Sequence, residues 1–186
     1  MFDLFKKSFL ELKKTKTIVI CGLLLAISLI LNTLTIKVGE IIIISLSFIA
    51  TSIVGFLFGP VTAGILAGLS DLLGFFLNPI RGTFHPIFTF NAIVGGLLYG
   101  MFLYKKSNQD KSLINKIIVC KLLVTVIVSL LLNTLSISII NGTKFSVLII
   151  PRIYKNLIEL PIHCIVMYII LKTLNKIYYK LNLEDN

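Results

Sequence analysis

Charge is scarce in this sequence. Only 14% of its 186 residues are charged and 56% are hydrophobic, whereas soluble domains run at roughly 25% charged and 45–50% apolar. With a mean hydropathy of +0.99 the chain falls outside the soluble class. Acidic residues are scarcer still, 8 against 18 Lys and Arg. No G-x-x-x-x-G-K-S/T run is present to cradle nucleotide phosphates, no H-E-x-x-H to hold zinc, and no Ser, His and acid spacing stands out. Cysteine occurs three times, as Cys21, Cys120 and Cys164, each inside an apolar run. That excludes a disulfide framework and a metal-ligand spacing. No cofactor or metal is implied. A repeat of broken helices of the kind common in secondary transporters is missing as well.

What is present is long apolar runs. Crossing a hydrocarbon core takes about 20 apolar residues, and runs of that kind lie at 17–36, 41–58, 60–77, 86–104, 113–135 and 152–177. The dipeptide Gly59-Pro60 divides the second from the third, because proline starts a helix more readily than it continues one. The stretch from Asn78-Pro79 to His85-Pro86 divides the third from the fourth. The expectation is an all-α integral membrane protein of six transmembrane helices. Residues 1–16 form a basic leader, 17–177 the membrane domain and 178–186 a tail. The first run is too long for a signal-peptide core and no small-x-small cleavage site follows it. Phe2, Phe5, Phe9 and Leu12 recur at helical spacing among lysines, so the leader reads either as an interfacial amphipathic helix or as a solvated basic tail.

Lysine and arginine orient the spans. With the N-terminus inside, 13 basic residues flank the inner side and 5 the outer, namely Lys37, Arg81, Lys144, Arg152 and Lys155. Both termini are therefore expected in the cytoplasm. The excess positive charge is a topology signal, since no soluble basic face exists to meet nucleic acid.

Polar side chains inside the spans crowd toward the outer side, where buried polar groups tend to mark function. Asp71 lies six residues before Leu77 and Glu159 seven after Arg152, about 9 and 10 Å deep at roughly 1.5 Å per residue. Thr89, Asn91 and Asn133 fall at similar depth. On the sixth span Arg152, Asn156, Glu159 and His163 stand at i, i+4, i+7 and i+11, one helical face. Such a face turns into the bundle, either as an internal cluster that fixes packing or as the wall of a pocket open to the outside. Polar groups converging from several spans favour the pocket. Arg81 and His85 before the fourth span, with Arg152 and Lys155, place cations at its mouth and point to an anionic ligand. Phe75, Phe76, Phe84, Phe88, Phe90 and Phe145 in the outer regions offer faces for an aromatic ring.

Small residues repeat at Gly22-x3-Ala26, Ala63-x3-Ala67, Gly64-x3-Gly68 and Gly96-x3-Gly100. The pattern marks close helix contact, within the chain or with another membrane subunit.

Taken in order, several segments resemble the substrate-binding (S) subunits of energy-coupling factor vitamin transporters, in the folate-type branch. They are Phe58-Gly59-Pro60-Val61, Ala67-Gly68-Leu69-Ser70-Asp71-Leu72-Leu73-Gly74, Phe84-His85-Pro86-Ile87-Phe88-Thr89-Phe90, Gly96-Leu97-Leu98-Tyr99-Gly100, Leu132-Asn133-Thr134-Leu135, and Pro151-Arg152-Ile153-Tyr154-Lys155-Asn156 through Glu159. The resemblance covers residues 17–178. It implies a cell-membrane subunit that takes a vitamin from the extracytoplasmic side and tilts to deliver it. The implied partners are a transmembrane coupling subunit and two cytosolic ATPases that supply the energy, besides the surrounding membrane lipid. The small residues on spans one and three, Gly22, Ala26, Ala63, Gly64, Ala67 and Gly68, would then meet the coupling subunit.

Folate suits the residues as read. A carboxylate, Glu159 or Asp71, accepts from paired N–H donors of a pterin edge, Asn91, Asn133 and Asn156 complete it, and Arg81, Arg152 or Lys155 bind the glutamate carboxylates. Ile87, Ser136 and His85 depart from the family's usual glycine, tryptophan and aromatic residue. Another small anionic vitamin such as pantothenate is the alternative ligand. An integral-membrane enzyme using Asp71 and His85 is a reading of a different class, and a bare scaffold leaves the polar cluster without a purpose.

Overall fold

A computed structural model of the chain describes residues 2–33, 36–38, 42–44, 46–77, 84–104 and 113–184. The described residues are helical apart from one short hairpin and the brief turns between helices. Helix α1 spans Phe2–Glu11 and α2 Thr15–Thr33, followed by antiparallel strands β1, Ile36–Val38, and β2, Ile42–Ile44. Helices α3, Phe48–Phe58, α4, Pro60–Leu77, and α5, Pro86–Leu103, come next. Helix α6, Leu113–Val124, runs through a π-helical stretch, Thr125–Leu132, into α7, Asn133–Asn141. Gly142 at φ 65° ends that rod in the left-handed conformation, and α8 fills Phe145–Glu184.

Among the described residues, five helices are long and apolar enough to cross a membrane: Thr15–Asn32, Pro60–Leu77, Pro86–Leu103, Leu113–Asn141 and Phe145–Ile177. The expected second span, 41–58, is corrected: its helix is only the 11 residues of α3. Ile42, Ile43 and Ile44 pair instead with Val38, Lys37 and Ile36. Stiff β-branched side chains fit a pleated strand better than a helix, and a hydrophobic run alone does not separate the two. The first helix stops at Thr33 rather than residue 36, the fifth rod continues to Asn141, and α8 starts seven residues before Arg152, with Pro151 and Pro161 inside it.

Glycine sets how closely the central helices meet. A Cβ on Gly96 of α5 would run into the Ala63 carbonyl of α4, and one on Gly100 into the backbone of Pro60. On Gly55 of α3 it would sit 2.9 Å from the Gly100 nitrogen. Three backbones therefore touch, the kind of contact that drives helix association where lipid and protein are equally apolar. Ala63, Gly64, Ala67 and Gly68, expected to meet a partner subunit, lie along this same contact. All four are buried; Gly64 packs on Leu97 and Gly68 on Ile93, so their contact is spent inside the chain. Gly22 and Ala26 on α2 are exposed, with nothing within 4 Å of a Cβ on Gly22.

The leader is part of this bundle. Ser8 of α1 is fully buried and its Oγ donates to the Phe58 carbonyl at 2.7 Å while accepting from the amides of Val61 at 3.0 Å and Thr62 at 3.3 Å. It thus caps α4 from a different helix, satisfying amides that a helix start leaves open. Gly59, at φ 89°, makes room for it: a Cβ there would lie 2.9 Å from the Ser8 hydroxyl. Lys121, read from sequence as an inner flanking charge, is buried as well. Its Nζ donates to the Tyr99 hydroxyl at 3.2 Å and lies 4.7 Å from the centre of the Phe48 ring.

Gly96→Ala and Gly100→Ala are expected to destabilise by about 1–3 kcal/mol or more through overpacking. Gly22→Ala should be neutral or slightly stabilising, because the site is open and alanine favours helix. Thermal denaturation of the purified protein in detergent reads all three; a Gly100→Ala variant as stable as the parent would contradict this packing.

Candidate functional site

At the end of the bundle where α4 and α7 finish and α5 and α8 begin, the helices part around a cavity of about 870 Å3. Helix α4 contributes Asp71 and Phe75, the two residues before α5 contribute Phe84 and His85, and α5 contributes Phe88 and Ala92. Val128 comes from the π-helical stretch, Asn133, Ile137, Ile140 and Asn141 from α7, and Arg152 and Lys155 from α8. Each contribution follows from spacing: Asp71 and Phe75, Phe88 and Ala92, and Asn133 and Ile137 are i, i+4 pairs that share a helix face.

The sequence candidates divide into wall and support. Asp71, His85, Asn133, Arg152 and Lys155 line the cavity. Thr89 stands behind Asp71, its hydroxyl donating to Oδ2 at 2.8 Å. Asn91 is fully enclosed and uses its Nδ2 to donate to Asn133 Oδ1 and to Ser136 Oγ, both at 2.9 Å. Asn156 accepts from Ser129 Oγ at 2.9 Å and donates to the Arg152 carbonyl at 2.8 Å. Glu159 lies one turn deeper, buried, with its Oε1 3.6 Å from Lys155 Nζ. Arg81 lies outside the described residues. So four of the expected contacts, Thr89, Asn91, Asn156 and Glu159, sit behind the wall and orient the residues that form it.

Arg152 reaches across to the fifth rod, its Nη1 donating to the Ser129 carbonyl at 3.3 Å and to Thr134 Oγ1 at 3.4 Å. Both acceptors are neutral, so its charge is unpaired among the described residues, which suits it to a carboxylate. Opposite, Phe75 and Phe84 stand 5.1 Å apart between ring centres and His85 and Phe88 6.4 Å apart. The cavity therefore has an aromatic side, a carboxylate at Asp71, an amide at Asn133 and two cations. Phe76 and Phe90, from the same aromatic group, are exposed on the outside of the bundle instead. Sequence reasoning missed Ala92, Val128, Ile137, Ile140 and Asn141. Ile137 and Ile140 were legible as the positions that follow Asn133 on one helical face, but apolar residues carry no distinguishing mark in a chain this hydrophobic.

Below the cavity, His163 packs on Phe48 with ring centres 4.2 Å apart, and its Nε2 is buried without a hydrogen-bond partner among the described residues. Lys121 fills the neighbouring space. Among the described residues no group of three His, Cys, Asp or Glu is placed to hold a metal.

Comparison with known proteins gives the family. Residues 16–171 match the family described as "ECF transporter, substrate-specific component". The chain is 32% identical over 157 residues to the "Folate transporter FolT" of Clostridium novyi (strain NT), covering 84% of this chain and 88% of that relative. To the "Folate transporter FolT" of Leuconostoc mesenteroides subsp. mesenteroides it is 29% identical over 163 residues, covering 84% and 85%. Among solved structures it is similar to "FolT bound with folic acid", with a TM-score of 0.72 and 34% identity over 83% of this chain and 92% of that one.

Asn91→Leu keeps the volume but strands Asn133 and Ser136, and is expected to cost about 1–3 kcal/mol. Asn141→Ala, exposed at the rim, should leave the melting temperature unchanged. Equal melting temperatures for Asn91→Leu and the parent would show that the buried amide network contributes nothing.

Proposed function

The chain belongs to the ECF transporter substrate-specific component family, and from that premise we propose that it is the membrane-embedded subunit that captures folate for an ATP-driven importer. The carrying observation is the chemical division of the cavity, aromatic and acidic on α4 and α5, cationic on α8. A volume of about 870 Å3 suits a ligand of folate's size, within the roughly 300–1,000 Å3 of small-molecule sites. The smaller pantothenate would leave the aromatic side unfilled. The chain is a binding subunit and not an enzyme; the ATPase belongs to partner proteins.

In this reading the pterin lies against Phe75, Phe84 and Phe88, and Asp71 accepts its paired N–H donors, held in place by Thr89. Asn133, steadied by Asn91, adds an amide. The glutamate tail meets Arg152 first and Lys155 second, with Arg81 and His85 as further contacts near the mouth.

The topology proposal places six spans, α3 together with the preceding hairpin serving as the second, and both termini in the cytoplasm. Its support is the Lys and Arg asymmetry; burial of Lys121 takes one from the inner count without reversing it. The cavity then faces outward. Partners are a transmembrane coupling subunit and two cytosolic ATPases. With the small residues of α4 spent on α5, the open Gly22 and Ala26 face of α2 is the remaining small-residue surface for the coupling subunit.

Calorimetric titration of the purified subunit should show one folate site. Arg152→Ala and Asp71→Asn are each expected to weaken it about 10- to 100-fold, the loss of one charge-assisted hydrogen bond, whereas Glu159→Gln should act less. No folate binding by the parent, or preference for pantothenate, would sink the assignment. For the α2 face, Gly22→Leu is expected to lower folate uptake in cells expressing the whole transporter while leaving affinity of the isolated subunit intact; unchanged uptake would point to a different contact.

A further inference from the structure

The rod from Leu113 to Asn141 changes phase in its middle. On its first half the exposed face runs along Ile114, Ile118, Leu122 and Val126, four apart, with Asn115, Lys116 and Val119 beside them. The next exposed residues are Leu131, Leu135 and Ile139, again four apart, but the step from Val126 to Leu131 is five. That step falls within the π-helical stretch Thr125–Leu132, and the Asn133 amide donates to the Val128 carbonyl five residues back. A π turn absorbs one residue more than an α turn and recurs at functional sites.

The displaced residue decides what faces the ligand. At 3.6 residues per turn, an α-helix continued from Val126 would bring Leu130, Asn133 and Ile137 onto the outer face. Asn133 would then meet lipid and Leu135 the bundle. Instead Asn133 lines the cavity, bonded to Asn91, and Leu135 is outside. The same stretch supplies the Ser129 carbonyl that accepts from Arg152 Nη1.

We infer that the π-helical stretch Thr125–Leu132 is the positioning element of the site, turning Asn133 and Ile137 into the cavity and holding the Arg152 guanidinium through the Ser129 carbonyl. It deepens the folate reading and rests on it for the identity of the ligand, though not for the geometry. Asn133 is polar and Leu131, Leu135 and Ile139 are apolar, so this phase also satisfies both lipid and cavity.

Single cysteines test it, in a background with Cys21, Cys120 and Cys164 replaced by alanine, using a membrane-impermeant maleimide from the outer side. Asn133→Cys and Ile137→Cys are expected to label and to be protected by folate, and Leu131→Cys and Leu135→Cys to remain unlabelled. Labelling of Leu135→Cys with Asn133→Cys silent would overturn the inference. Two length variants sharpen the result. Deleting Leu131 lets the stretch become α without altering the phase, so Asn133→Cys still labels and folate still binds. Inserting one alanine after Leu131 turns the outer end by about 100°, silencing Asn133→Cys and weakening folate at least about tenfold, as expected for one lost polar contact. Equal loss in both variants would also overturn it. Where a length variant does not elute as a single species, the labelling at natural length decides alone. The expected labelling without folate protection would remove the ligand and leave the phase step standing.

Discussion

Everything in this molecule is hung on the contact between the backbones of α4 and α5. Two helices in lipid gain nothing from burying apolar side chains against each other rather than against acyl chains, so their association depends on close fit. Gly96 and Gly100 allow α5 to lie on Ala63 and Pro60 of α4 with no side chain between, and Gly55 brings α3 onto the same crossing. The three helices are pinned at one end of the bundle. At the other end, where Phe75 of α4 and Phe88 of α5 stand on its wall, the cavity opens. A site that is closed below and open above is thus the geometric consequence of where the glycines are.

The pinned end is reinforced from outside the crossing. Ser8 satisfies the amides at the start of α4 and the carbonyl at the end of α3, so the Gly59 turn is held by α1 as well as by its own conformation. Nearer the cavity end, the Ser28 and Ser70 hydroxyls, 2.7 Å apart, join α2 to α4. These are short polar ties between helices, each satisfied without charge. They are affordable in a membrane because no donor or acceptor is left facing lipid.

How much of this was legible in the sequence differs by element. Long apolar runs with polar groups at one end carried the bundle, and the face Arg152, Asn156, Glu159 and His163 was readable because α8 keeps a regular period through it. The hairpin was not, since Ile42 to Ile44 are as apolar in a strand as in a helix and only their pairing with residues 36–38 distinguishes them. Lys121 could not be read as buried from its place near a span end; the Tyr99 hydroxyl and the Phe48 ring that accommodate it come from other helices. The small residues of α4 were recognised as a contact face, but spacing cannot say whether the contact is α5 or another protein. The phase step before Asn133 escaped notice because a fixed helical period has no place for a five-residue turn.

The electrostatics of the cavity then follow from which cation is already engaged. Besides His85, four charged side chains line it or lie directly beneath: Asp71, Arg152, Lys155 and Glu159. The formal charges of these four balance, and Lys121, buried deeper against the Tyr99 hydroxyl and the Phe48 ring, adds one positive charge. Arg152 and Lys155 are not equivalent partners for an anion. Lys155 is drawn downward by Glu159 at 3.6 Å, and a ligand carboxylate gains it only by weakening that pair. Arg152 has just a carbonyl and a hydroxyl as acceptors, so a carboxylate can add to its guanidinium without breaking an ion pair. On the proposed reading, a single carboxylate would therefore engage Arg152 first. A second negative charge would then make recruitment of Lys155 favourable, and the arrangement would favour a dianionic tail over a singly charged acid.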